Sequence, residues 1–147
     1  MDWDEVVGHL RARYQVGRAT LTWVELWRSF REGSRAIRQQ QTVRCAVYHG
    51  QTYYVIEAEV AAPVQARASL CAGAQLAIGT LVERGDALVA QAQVPSSALA
   101  PATLDRLLLA IGHEAMSLSL LVWQHLHAAA TEEAQQSQPP ASTRSAS

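Results

Sequence analysis

The chain reads as an α+β protein: an antiparallel sheet built from two hairpins, with an N-terminal helix, a short linker helix and a long C-terminal helix on one face. Three observations predict this. Val43, Cys45 and Val47 alternate with Arg44, Ala46 and Tyr48, turn at His49-Gly50-Gln51, and resume as Tyr53-Tyr54-Val55-Ile56, the alternation and turn of a β-hairpin. Two further short apolar runs, Leu76 to Val82 and Ala87 to Val94, meet at Arg84-Gly85-Asp86. Pro101 then opens a stretch carrying Leu104, Leu107, Leu108, Ile111, Ala115, Leu118, Val122 and His125 at helical spacing.

The elements follow in order. Trp3, Val6, Val7 and Leu10 stand at i, i+3, i+4 and i+7, with Asp2 and Asp4 at the positive end of the dipole, so an amphipathic helix is expected before Gly17. Residues 20 to 32 are ambiguous between helix and strand. Thr20 to Trp27 is rich in β-formers, yet Trp23, Leu26, Trp27 and Phe30 also fit helical spacing, and Gly33 stops either element. The reading adopted is a helix from about Thr22 to Arg31. After the first hairpin, Pro63 closes the strand and Val64 to Gly73 forms a small Ala-rich linker helix. A final helix from Pro101 to Ala130 would be roughly 45 Å long at ~1.5 Å per residue, more than a small sheet needs for cover. The domain is taken as residues 1–130. Residues 131–147 hold no large apolar side chain and are expected to form a disordered tail.

The 147 residues suit a single domain. Charged residues are only 17% against 49% apolar, below the ~25% charge typical of soluble domains, which suggests that a second copy covers part of the surface. Met1-Asp2-Trp3-Asp4-Glu5 is acidic and no signal-like apolar run follows it; Cys45 and Cys71 lack metal or redox spacing and are read as small buried hydrophobes. The expected compartment is the cytoplasm, with free thiols. No membrane is expected: Leu107 to Leu126 is long and apolar but carries His113, Glu114 and His125. The formal net charge of −1 argues against direct nucleic-acid binding, although Arg11, Arg13, Arg18, Arg28, Arg31, Arg35, Arg38 and Arg44 make residues 11–44 locally basic. That stretch leaves a nucleic-acid accessory as an alternative.

Candidate chemistry is thin. Glu57 and Glu59 share one strand face at a spacing of ~6.5–7 Å, which could serve a small hydrolase, but no nucleophile accompanies them. His125 and His127 fall on different helix faces, and His113-Glu114 lacks the second His of a zinc-protease helix, so neither metal nor cofactor is expected. Trp23, Trp27 and Phe30, with Leu118, Val122 and Trp123 on the last helix, are the candidate protein-binding or dimer residues, because aromatic anchors concentrate at such surfaces.

From Val43 to Leu126, somewhat more than half of the chain, the order of segments resembles the YbjN family, whose fold is that of the type III secretion chaperones. The resemblance is carried by the hairpin ending Tyr54-Val55-Ile56-Glu57-Ala58-Glu59-Val60, the linker helix, Gln75-Leu76-Ala77-Ile78-Gly79, the Gly85-Asp86 turn, Val94-Pro95, and Leu99-Ala100-Pro101-Ala102-Thr103-Leu104. It implies a homodimer without enzymatic activity that receives an extended or flexible segment of a client protein, in some members under stress. It transfers no binding residue.

Overall fold

A computed structural model describes residues 1–139. The chain runs α1 (Trp3–Arg13), β1 (Gln15–Ala19), β2 (Trp23–Glu32), β3 (Arg35–Tyr48), β4 (Gln51–Val60), α2 (Val64–Gly73), β5 (Thr80–Arg84), β6 (Ala87–Pro95), a short 3₁₀ turn and α3 (Pro101–Gln136). The strands form one antiparallel sheet in the order β1-β2-β3-β4-β6-β5. The α+β layout with its N-terminal helix, antiparallel sheet and long C-terminal helix matches the sequence reading.

Residues 20–32 correct it. Trp23–Glu32 form a strand, not a helix, and with β1 they extend the two-hairpin sheet to six strands. Positions i and i+4 lie on one side of a strand as well as of a helix, so Trp23 and Trp27 could not distinguish the two. Val24, Leu26 and Phe30 are buried while Trp23 and Trp27 stand on the opposite face, a period of two. Gly33, at φ +58, is the first residue of a two-residue Gly33-Ser34 turn that returns the chain into β3. The turn at His49-Gly50 follows the same rule, both residues having positive φ.

α1 is closed at its start by a reciprocal box: the Glu5 N–H donates to Asp2 Oδ1 and the Asp2 N–H donates to Glu5 Oε2, each at 2.8 Å. Its Val6 and Leu10 are fully buried against the sheet. β5 begins at Thr80, later than the expected Leu76, because Glu114 Oε1 on α3 accepts the N–H groups of Ala77 (2.6 Å) and Ile78 (3.1 Å) and diverts that segment from the ladder.

α3 supplies Leu104, Leu108, Ile111 and Ala115 to the core, all at 0% exposure. It also lies close to the sheet backbone. Gln41 Nε2 donates to the Leu108 carbonyl (2.9 Å) and Gln39 Nε2 to the Gly112 carbonyl (3.1 Å), so two buried sheet amides grip consecutive turns of the helix. A Cβ at Gly112 would stand 2.5 Å from Phe30 Cζ and 2.8 Å from Gln39 Oε1, so only glycine permits this approach.

The helix continues to Gln136, six residues into the segment expected to be disordered. Ala128 to Ala130, Glu132 to Gln136 and their neighbours are good helix formers, and extending an existing helix carries no nucleation cost. Residues 137–139 lie outside helix and strand, and the rest of the expected tail, 140–147, lies outside the described residues.

Candidate functional site: a cleft where the sheet parts beneath a helix

β3 is 14 residues long and β4 only 10. The two pair from Gln41↔Ala58 to Tyr48↔Gln51. From Arg35 to Gln40, β3 is paired with β2 alone among the described residues, while Glu59 and Val60 of β4 pair with Val89 and Leu88 of β6. The strands therefore part at one end of the sheet. The Ala61 N–H is taken by Ser119 Oγ of α3 at 2.9 Å, and that hydroxyl donates to the Ala115 carbonyl.

The gap opens a cavity of about 440 Å³. Ile37 and Gln39 line it from the helix-covered face of the sheet, Trp27, Arg38 and Glu59 from the opposite face, and Met116, Leu120 and Trp123 from α3. Side chains from both faces can meet in one cavity only because the ladder is broken there. The Arg38 guanidinium lies 4.6 Å from the Trp27 ring centroid. A second recess of about 720 Å³ continues along Arg35, Leu120, Trp123 and Leu126. Beyond it α3 leaves the sheet. Val122 is its last buried residue, and every residue from Trp123 to Gln136 is exposed.

The six residues expected to bind protein do not form one surface. Trp27 and Trp123 meet at the cleft. Trp23 shares the face of Trp27 but lies outside the cavity lining. Phe30 points the other way, is 4% exposed and packs edge-on against the His113 ring at 4.9 Å. Leu118 and Val122 are half-buried and buried respectively. Their inward direction follows from the strand period of β2 and from the turn of α3 that faces its own domain. Ile37, Met116 and Leu120 are not among the expected residues, and Arg38 enters only as part of the basic stretch; the one signal is that the Gly33-Ser34 and His49-Gly50 turns make β3 longer than its partner.

The carboxylate pair does not form a site. Glu57 is buried on the face away from the helices, and its Oε1 accepts from Arg44 Nη2 (3.2 Å), Arg84 Nη2 (2.8 Å) and Gln91 Nε2 (3.2 Å), whereas Glu59 is exposed. The arginines of residues 11–44 are dispersed: Arg44 binds Glu57, Arg13 binds Asp105 (3.3 Å), and Arg28 lies over the rings of Tyr14 and Phe30. Cys45 is half-buried, but Cys71 is exposed, correcting its reading as a buried hydrophobe: α2 has no buried residue. No cluster of three His, Cys, Asp or Glu suited to a metal occurs among the described residues.

One other polar cluster joins α1 to α3. Asp105 Oδ1 lies 2.8 Å from His9 Nε2 and accepts a short hydrogen bond from the Tyr14 hydroxyl. Burial works to raise the pKa of Asp105, but the bonds from Tyr14 and His9 and the charges of His9 and Arg13 outweigh it and hold the group below its ordinary 3.8. Burial, then the bond to Asp105, raises Tyr14 above 10.0. This cluster is a clamp between two helices.

By length and composition α3 could cross a membrane, although 33% of its most apolar window is buried inside this fold. Compared with known proteins, the chain matches no family model, no curated protein and no solved structure.

Proposed function

We propose that this protein is a non-enzymatic, homodimeric protein-binding module that holds an extended or flexible segment of a client protein. The observation that carries the reading is the cleft between β3, β4 and α3, with its mixed apolar and aromatic walls and its open mouth. Trp27 and Trp123 are rigid anchors with large contact areas, suited to gripping side chains that vary in shape. The exposed far half of α3, with Leu121 at 53%, Trp123 at 57% and Leu126 at 39% exposure, is the surface through which two copies associate. The low share of charged residues and the resemblance of segment order to the YbjN family support the same reading.

Selection of a displayed peptide library on the full chain tests it. Enriched peptides should compete with one another and lose binding when Trp123→Ala or Leu120→Ser is introduced. A library that yields no enriched sequence, or peptides indifferent to both substitutions, overturns the client-holding role. Sedimentation at low micromolar concentration tests the dimer separately, and a clean monomer removes it.

A further inference from the structure

We infer that the client segment binds by strand addition to the free edge of β3 between Arg35 and Gln40, and that its sequence alternates apolar with acidic residues. The inference rests on the client-holding reading above and specifies how the cleft is filled.

The backbone argument comes first. Along Arg35–Gln40, β3 is hydrogen-bonded on its β2 side only, so its other side presents donors and acceptors to the cleft. An extended chain entering there would satisfy them with its own main chain, whatever its side chains, which is how strand addition obtains affinity. A helical occupant would leave those groups unmatched.

The side-chain pattern follows from the period of two. Ile37 and Gln39 point into the helix-covered half of the cleft, where Met116, Leu120 and Trp123 close the apolar wall. Occupant residues on that side are apolar. Arg38 points to the opposite face, over Trp27, and has no ion-pair partner among the described residues. Occupant residues on the Arg38 side are therefore acidic. Glu59 on the β4 wall repels a carboxylate set deep in the gap and so fixes the acidic side chains towards β3. Charge complementarity thus orients the segment as well as attracting it.

The test uses the full chain with a short, end-blocked synthetic peptide alternating Glu and Val, and its Lys/Val counterpart. The Glu/Val peptide should change tryptophan emission and slow amide exchange at Arg35–Gln40. The Lys/Val peptide should bind at least about tenfold more weakly, and Arg38→Gln should weaken the Glu/Val peptide by about tenfold with Arg38→Lys in between, as loss of one charge-assisted contact predicts. Equal binding of both peptides, no binding of either, or protection confined to residues 123–136 overturns the inference. So does concentration-dependent protection of Arg35–Gln40 without peptide, which would place a second copy in the cleft. If library-selected peptides bind through Trp123 yet leave these amides unprotected, strand addition falls and the client-holding role stands.

Discussion

The two halves of α3 belong to one continuous helix with apolar residues throughout, yet they live in different surroundings. Between Leu104 and Met116 the helix lies on the sheet: Leu104, Leu108, Ile111 and Ala115 are fully buried and two glutamines from β3 hold its carbonyls. Between Trp123 and Gln136 it touches no core. The difference lies in the sheet beneath. β4 ends at Val60, the β2–β3 hairpin diverges from it, and the helix continues at ~1.5 Å per residue, so its last 14 residues overhang by roughly 21 Å. Apolar character specifies that a surface will be covered, and the partner's extent decides by what.

The largest expected effect contrasts the halves directly. Leu108→Ala removes a fully buried side chain beneath the Gln41 contact and should cost about 2–5 kcal/mol, whereas Leu126→Ala on the overhang should change stability by less than about 0.5 kcal/mol. Urea unfolding at one fixed protein concentration measures both, since self-association would make midpoints concentration-dependent. Equal losses would mean that the overhang belongs to the core.

Gly112→Ala sharpens the contrast. An alanine would ordinarily gain up to ~1 kcal/mol of helix propensity over glycine, but here its Cβ meets Phe30, Gln39 and Gln41. All three contacts are side-chain ends, yet Phe30 is a buried ring and the two glutamines are committed to helix carbonyls, so they yield only by repacking the ring or breaking those bonds. The overpacking should win, with a net loss of about 1–3 kcal/mol in the same measurement. A stabilised variant would show that the helix can lift from the sheet at little cost.

Much of this was legible before any coordinates. The His49-Gly50 and Gly85-Asp86 turns located two hairpins, and Pro101 located the start of α3, because each depends on local backbone chemistry. β2 is not legible, since residues spaced four apart satisfy both periods and Gly33 stops a helix as readily as it turns a hairpin. β1 was hidden by Gly17 and its mostly exposed, polar composition. The cleft was barely legible: the bounding turns make β3 longer than β4, but where the two strands stop pairing is set by tertiary register. Of the six candidate binding residues, Trp27 and Trp123 reached it from distant segments, a meeting that neither local sequence encodes.

A smaller effect concerns the start of the anchored half, where Asp105 ties α3 to α1. With its folded pKa below the unfolded value, Asp105 contributes stability that is fully present above about pH 4 to 5 and is lost as pH falls through the folded value. Tyr14, raised above 10.0, contributes in the opposite limb: its share is present below that value and disappears as pH rises through the folded one. Asp105→Asn should therefore cost about 1–2 kcal/mol at neutral pH and converge with the parent towards pH 2. A constant difference across the acid range would assign the cost to packing and not to ionisation.

The smallest effect on stability is also the one that separates the halves by role. Trp123 is 57% exposed at the point where α3 leaves the sheet, so Trp123→Ser removes apolar area that the isolated chain leaves in water. Measured at a concentration low enough that parent and variant are both monomeric, its unfolding free energy should stay within about 1 kcal/mol of the parent, because most of the indole already faces water. Association should respond instead. If two copies meet through the overhang, burying this indole supplies much of the contact, and sedimentation of the variant should return monomer at concentrations where the parent is dimeric. A variant that remains associated yet unfolds far more readily would reverse the assignment, making the end of α3 part of the scaffold and leaving the cleft without its outer wall.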